Sequence, residues 1–328
     1  MSEPAAPQFL DVPLLIDRSM PRRAPIRMWQ VTGIFMMVVL FSAYITSQGG
    51  QAAAVMSAVS LFLMVGLIAA LVAISWTIVR KARAEQAQVE AIDELIRLRR
   101  WPEAAAMLEQ LLGQPTRTPQ ARAHGLIFLA SVLARYNRFE EAIGVQNYLL
   151  ENIQLDGGTI HTLRLARAMA MLREDHLFDA DRAINELRRQ VSRAGRAMSQ
   201  AGANAAPDDD AQEPAQREYV EPEPPQSLSA GLALIELYRD VKTGHPAEAI
   251  ELFTSTIPSM RDQLGHRVAD AHVLVARAYD LLGREAEAQA EYERATLLAP
   301  PAELHRRYPE TAPLAEKYQP AIAPREAA

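Results

Sequence analysis

The chain has 328 residues, 34 Lys and Arg against 40 Asp and Glu (net charge −6), and 49% hydrophobic but only 6% aromatic residues. It has no cysteine, which excludes disulfide scaffolds, thiolate zinc sites, iron–sulfur clusters and cysteine catalysis. The acidic balance argues against nucleic acid as a partner, and the length allows roughly two domains.

Residues 1–27 are Pro-rich, carry Arg18, Arg22, Arg23 and Arg27, and show no evident packed element, so a disordered segment is expected. Trp29–Thr46 then runs eighteen residues without a charge. As a helix it spans about 27 Å, close to the thickness of a bilayer hydrocarbon core. Ser47–Gln51 contains Gly49 and Gly50 and reads as a tight turn. A second uncharged run, Ala52–Val79, follows. Neither run has the polar stripe of a soluble helix, so 28–80 is expected to be a transmembrane helical hairpin. Arg18–Arg27 precede it and Arg80, Lys81 and Arg83 follow, while the turn carries no charge. The positive-inside rule therefore puts both termini in the cytoplasm, and Trp29 and Trp76 sit at the inner interface. Gly66, Ala69, Ala70 and Ala73 form a short small-residue stripe that can seat a neighbouring helix, most simply the first span. No ionisable residue lies inside either run, which argues against a transporter or channel.

Beyond Val79 the apolar pattern takes a helical period. Three segments, starting near Glu85, Ala123 and His161, fall into register at 38-residue offsets over 85–197. Each reads as a pair of helices. In the first, Ala91, Ile92 and Leu95 precede a turn at Arg99–Pro102, and Ala104, Leu108 and Leu111 follow. In the second, Leu126, Leu129, Ala130 and Leu133 precede Tyr136–Phe139, then Ala142, Ile143 and Leu149. In the third, Ala168 and Met171 precede Asp175–Leu177, then Ala180, Ile184 and Leu187. Two more units occupy 229–300. One has Leu237, a turn at Gly244–Pro246, Ala249 and Phe253, with a stop expected at Pro258. The other is Ala269–Pro300, with Ala276, Tyr279, Gly283, Ala288, Tyr292, Ala295 and Pro300 in order.

These positions resemble the tetratricopeptide repeat, in which small residues lie where two helices cross, followed by a turn glycine, a helix-B alanine and a terminal proline. Ala130, Asn137, Phe139 and Ala142 match in the second unit, Ala104 in the first, and Ala168 and Ala180 in the third. The resemblance implies an all-α solenoid in two blocks. Its end-of-helix-A positions line a concave groove in similar proteins. Arg97, Arg135 and Arg173 share that position at 38-residue intervals. They would form a guanidinium ladder for an acidic or C-terminal peptide segment of a partner protein, with Ile127, Leu165 and Met169 adding apolar contact.

The blocks are separated by an acidic linker, 198–228, in which Ser199–Ser227 carries seven acids against Arg217 alone. Such a segment is expected to be disordered. Residues 80–196 carry 18 basic and 15 acidic residues, so the linker could occupy the ladder intramolecularly. Arg182, Arg188, Arg189, Arg193 and Arg196 form a second basic cluster that reads mainly as a solvated face, with contact to acidic lipid headgroups as the alternative. The segment 301–328 is expected to hold a short capping helix and a disordered tail.

No phosphate loop, HExxH or GxSxG is present, and the seven histidines show no metal-ligand spacing. No catalytic residue, metal or cofactor is therefore assigned. His176 and His245 fall in repeat turns and His272 on a helix-A surface. The expected function is that of a membrane-anchored repeat adaptor, non-enzymatic, holding a protein partner at the inner face of a bacterial inner membrane. The alternative is a structural subunit or assembly factor whose repeats pack permanently.

Overall fold

In a computed structural model the described residues are 10–21, 51–204 and 226–318, together with the single positions Gly33, Met36, Met37, Leu40 and Tyr44; within the helices, the side chains of 51–61, 194–204, 226–229 and a few single positions lie outside the description. Among the described residues the chain is all-helical, without strands. It divides into two compact units, Met1–Ile153 and Gln154–Ala328.

The first unit contains α1 (Val12–Arg18), α2 (Gln51–Arg97), α3 (Trp101–Leu112), α4 (Pro119–Arg135) and α5 (Phe139–Asn152). Its core is built largely from the predicted apolar faces: Ile92, Leu108, Leu126, Leu129, Leu133 and Leu149 are fully buried, and Leu112 and Val145 join them. Ala104 and Ala142 are also fully buried, and Ala130 nearly so, which lets successive helices approach closely. The expectation of a disordered 1–27 is corrected over 10–21. Asp11 caps α1 through the Leu14 amide, and Leu10, Val12 and Leu15 are buried. These apolar residues are too few for a periodicity to be visible in sequence.

The second unit contains α6 (Gly157–Arg173), α7 (Leu177–Asn204), α8 (Gln226–Thr243), α9 (Pro246–Leu264), α10 (Val268–Leu281), α11 (Glu285–Leu298), α12 (Pro301–Arg307) and α13 (Ala312–Tyr318). One hydrophobic core runs from Ala168 and Leu172 through Ala180, Ala276, Tyr292 and Ala295 to Leu314. The third repeat thus shares a core with the helices beyond the linker, and the division falls before Gln154. The expected grouping had placed it with the first two repeats. The reason is apolar: α8 buries residues on nearly every side and needs α6 and α7 as well as α9 and α10 to cover them. Helix α7 extends to Asn204 and α8 starts at Gln226, so the segment between helices is shorter than 198–228. The acids from Asp208 to Glu223 lie outside the described residues. Pro258 does not stop its helix, and α9 continues to Leu264. The cap expected after Pro300 consists of two short helices that bury Leu304, Tyr308 and Leu314.

Five helix–turn–helix units share one turn geometry. A residue in the left-handed region stands at Arg99, Asn137, Asp175, Gly244 and Gly283, with φ between 58° and 79°. The next amide reaches back to the helix: Arg100 to Leu95, Arg138 to Leu133, His176 to Met171, His245 to Asp240 and Arg284 to Tyr279, all at 2.8–2.9 Å. This closes the exposed carbonyls at each helix end. A glycine suits the turn at 244 and 283, whereas the first three units place Arg, Asn and Asp there. The adjacent N-cap residue then pairs three positions on, as Arg100–Glu103, Arg138–Glu141 and Arg284–Glu287.

Helix α2 is 47 residues long, about 70 Å at 1.5 Å per residue. Its Phe62, Val65, Val72 and Trp76 are exposed. Among the described residues no helix is long and apolar enough to cross a membrane. Apart from its five single positions, the first expected span lies outside the described residues, as does the turn before Gln51. A Cβ on Gly66 would meet no described atom within 4 Å, and Ala69, Ala70 and Ala73 are exposed. Among the described residues the small stripe therefore seats no neighbouring helix.

Candidate functional site

Two places gather chemistry: the base of the first unit and the A-helix face of the second. At the base, the loop 116–118 joins α3 to α4. The Thr116 hydroxyl donates to the Ser19 carbonyl at 2.8 Å. Glu85 of α2 accepts from the amides of Arg117 and Thr118 at 3.0–3.2 Å. One three-residue loop therefore holds both Ser19, after α1, and Glu85, after the apolar half of α2. Arg122 is buried and completes the joint. Its guanidinium donates to the Ser19 hydroxyl, the Ile16 carbonyl and the Tyr148 hydroxyl. Arg138 donates to the Leu10 carbonyl at 2.9 Å. Two arginines of the repeat body thus receive the segment 10–19 by backbone carbonyls, one before α1 and one within it. Nothing in the spacing of Arg122 or Arg138 marked them, because their acceptors lie more than a hundred residues away.

The three ladder arginines have different environments. Arg97 is 78% exposed and pairs with Asp93 on its own helix at 2.7 Å. Arg135 is half-buried, its guanidinium 5.7 Å from the centre of the Trp101 ring. Arg173, in the second unit, lies 5.5 Å from the Tyr308 ring. Each has an intramolecular partner, in place of a uniform set of free forks. Ile127 is half-buried, with His124 and Ser131 exposed on the same face of α4. Leu165 and Met169 pack against the second unit's core, and Leu165 lies against Gly231 of α8. Part of their apolar surface is thus covered by the chain itself.

In the second unit the C-terminal segment crosses the ends of three A helices. Tyr308 stacks edge-on against Tyr238 of α8 with ring centres 5.1 Å apart, lies beneath Arg173 of α6, and donates its hydroxyl to Asp270 of α10 at 3.3 Å. Glu310 accepts from the Tyr238 hydroxyl at 3.0 Å and from Lys242 at 3.2 Å. Arg307 donates to Asp270 of α10 at 2.6 Å, and Lys317 to Asp280 at 3.0 Å. Asp270 is completely buried, so this pair excludes water from the contact. Burial pushes both the Tyr238 and Tyr308 phenols well above their ordinary range. Burial raises Asp280, but the donors Lys317 and Arg277 outweigh it and hold the carboxyl below the usual carboxylate range.

His272 is buried, with Nδ1 2.6 Å from a Glu291 oxygen and its ring edge-on to Phe253; it does not lie on a helix-A surface. Arg188 of the second basic cluster is engaged by Glu236 at 2.5 Å, whereas Arg182, Arg189 and Arg193 are exposed. No group of residues among those described could hold a metal ion. The residues that expectation missed are Asp270, Glu310, Tyr238 and Tyr308. The only cue in sequence was the aromatic and charged content of a segment labelled as a cap. The chain matches no family model, no curated protein and no solved structure.

Proposed function

We propose that the protein is a membrane-anchored helical-repeat adaptor with both termini on one side of the membrane. The observation that carries this reading is the joint at 116–118. Ser19 and Glu85 are held by the same loop, so the intervening chain leaves and returns to one place. That intervening chain contains both uncharged runs, 29–46 and 52–79. An excursion that starts and ends at one point crosses a bilayer an even number of times. Exposed Phe62, Val65, Val72, Trp76 and Val79 add to this, because a contiguous apolar surface of this kind marks a lipid or protein contact. A bacterial inner membrane fits the short hairpin turn.

The repeats would then act as the holding surface, consistent with their resemblance to tetratricopeptide units. The second unit's A-helix ends are occupied by its own C-terminal segment. The A-helix face of the first unit, with Arg97, Ile127 and Arg135, is the better place for an acidic partner segment. A second reading, permanent packing against another subunit, is favoured by Phe178 at 82% and Leu297 at 86% exposure. No enzymatic role is proposed.

The chain's lack of cysteine provides the test. Ser47→Cys and Gln114→Cys are made singly and labelled with a membrane-impermeant maleimide in right-side-out vesicles. The expected result is labelling at 47 in sealed vesicles and at 114 only after permeabilisation. Equal labelling of both in sealed vesicles overturns the hairpin. For the adaptor role, a partner that co-purifies with the wild type should be lost from an Arg97→Glu, Ile127→Asp variant. Retention would favour the subunit reading.

A further inference from the structure

The joint gathers positive charge from three separate segments. Arg18 ends α1, Arg80, Lys81 and Arg83 lie on α2 within two turns before Glu85, and Arg117 lies in the clamping loop. All five side chains are exposed. None has an ion-pair partner among the described residues. The nearby carboxylate of Glu85 directs both oxygens to the Arg117 and Thr118 amides and the Thr118 hydroxyl. A cleft of about 470 Å³ opens beside this collar, lined by Asp17, Arg18, Met20, Pro21, Gly113 and Pro115. One turn further along α2, Trp76, Ile78 and Val79 are exposed, so the cationic collar is continuous with an apolar surface.

We infer that this collar is a binding site for the headgroups of anionic phospholipids. The inference rests on the membrane reading above. Five cations without internal partners at the edge of an apolar helix match a layer of phosphates overlying acyl chains. The phosphates supply acceptors for the guanidinium forks of Arg18 and Arg117. The cleft is large enough for a headgroup, and its Asp17 carboxylate accepts from headgroup hydroxyls, which phosphatidylglycerol carries. Because Arg18 and Arg117 flank the contact between Ser19 and Thr116, a lipid bridging them also fastens α1 to the repeat body. The anchor would thus respond to lipid charge as well as to apolarity.

The test uses the full chain in mild detergent, titrated with phosphatidylglycerol or phosphatidylcholine and read by native mass spectrometry. The wild type is expected to bind phosphatidylglycerol in preference. An Arg18→Gln, Arg117→Gln variant should bind it about tenfold to thirtyfold more weakly, from roughly one surface cation's worth of attraction per site removed. Both side chains are exposed, so folding should be unaffected, which circular dichroism checks. Arg80→Gln, Lys81→Gln, Arg83→Gln, with three cations removed, should weaken binding at least as much. A variant removing three cations of the second unit, Arg182→Gln, Arg189→Gln, Arg193→Gln, should leave the preference unchanged. Equal binding of the two lipids by wild type overturns the proposal, as does an equal loss in the second-unit variant, which would make the preference one of net charge. Vesicle labelling reads topology independently: the expected labelling with no lipid preference rejects the collar alone, and equal labelling of positions 47 and 114 in sealed vesicles rejects the hairpin.

Discussion

The two units use one repeat geometry but are finished in different ways. The first receives a short helix from before the apolar runs, held by Arg122 donating to the Ile16 carbonyl of α1 and Arg138 to the Leu10 carbonyl just before it. The second receives a segment from the end of the chain, held by side chain to side chain: Arg307 to Asp270, Glu310 to Tyr238 and Lys242. An arginine on a carbonyl is a neutral-acceptor contact at the edge of a core. A fully buried carboxylate held by Arg307 at 2.6 Å, with Arg267 at 3.8 Å and the Tyr308 hydroxyl beside it, is a charge that water cannot rescue. The second closure is therefore the more brittle, although it buries more apolar surface through Leu304, Tyr308 and Leu314.

The largest expected break in this comparison is Arg307→Ala, which takes from buried Asp270 its shortest ion pair and leaves it Arg267 at 3.8 Å and the Tyr308 hydroxyl. It should destabilise the second unit by about 2–3 kcal/mol. Hydrogen exchange on the full chain should show lost protection in α10 and in 301–318, with α3–α5 unchanged. Loss of protection in both units together would show that they unfold as one. Next in size is Arg122→Ala. It removes three hydrogen bonds from the α1 joint, an expected loss of about 1–3 kcal/mol confined to the first unit. Amides 12–19 should exchange faster while those of α8 and α10 do not.

The shared turn sharpens the comparison by a smaller amount. Gly283→Ala forces a residue with a Cβ into φ near 71° and should destabilise by about 1–2 kcal/mol. Arg99→Gly relieves the same strain in the first unit, offset by the greater backbone entropy of glycine. A net gain of under about 1 kcal/mol is expected, read as a shift in the urea midpoint.

The smallest effect is on pH. Burial holds His305 below the ordinary histidine value, and its ring stacks on Tyr292 and reaches Thr311. The unfolded chain therefore takes up a proton first as pH falls. The contribution of His305 to the C-terminal closure is complete above about pH 6.5 and declines as pH drops toward the folded value. His305→Gln should flatten this acid-side slope in amides 304–311, and an unchanged slope would assign it to another group.

Much of the repeat body was legible. The alanines at 104, 130, 142, 168, 180, 276, 288 and 295 all proved buried, because a helix crossing accepts only small residues and the requirement recurs at a fixed interval. The 38-residue register was visible for the same reason, and Arg99, Asn137 and Asp175 repeat it in φ. The contacts of the candidate site were less legible. Arg97, Arg135 and Arg173 share a position but have different neighbours, and only those neighbours decide whether a guanidinium meets solvent, Trp101 or Tyr308.

By itself the sequence determined the helix pairs, their turns and the charge-free runs, because each depends on residues within a few turns of one another. Tertiary structure alone decided which helices share a core, that residues 10–21 fold onto the first unit, and that 301–318 close the second. Those outcomes depend on acceptors and apolar faces tens to more than a hundred residues distant, where periodicity carries no information. The joint of Ser19, Glu85 and Thr116–Thr118 belongs to the second kind, and the topology proposed for the whole chain follows from it.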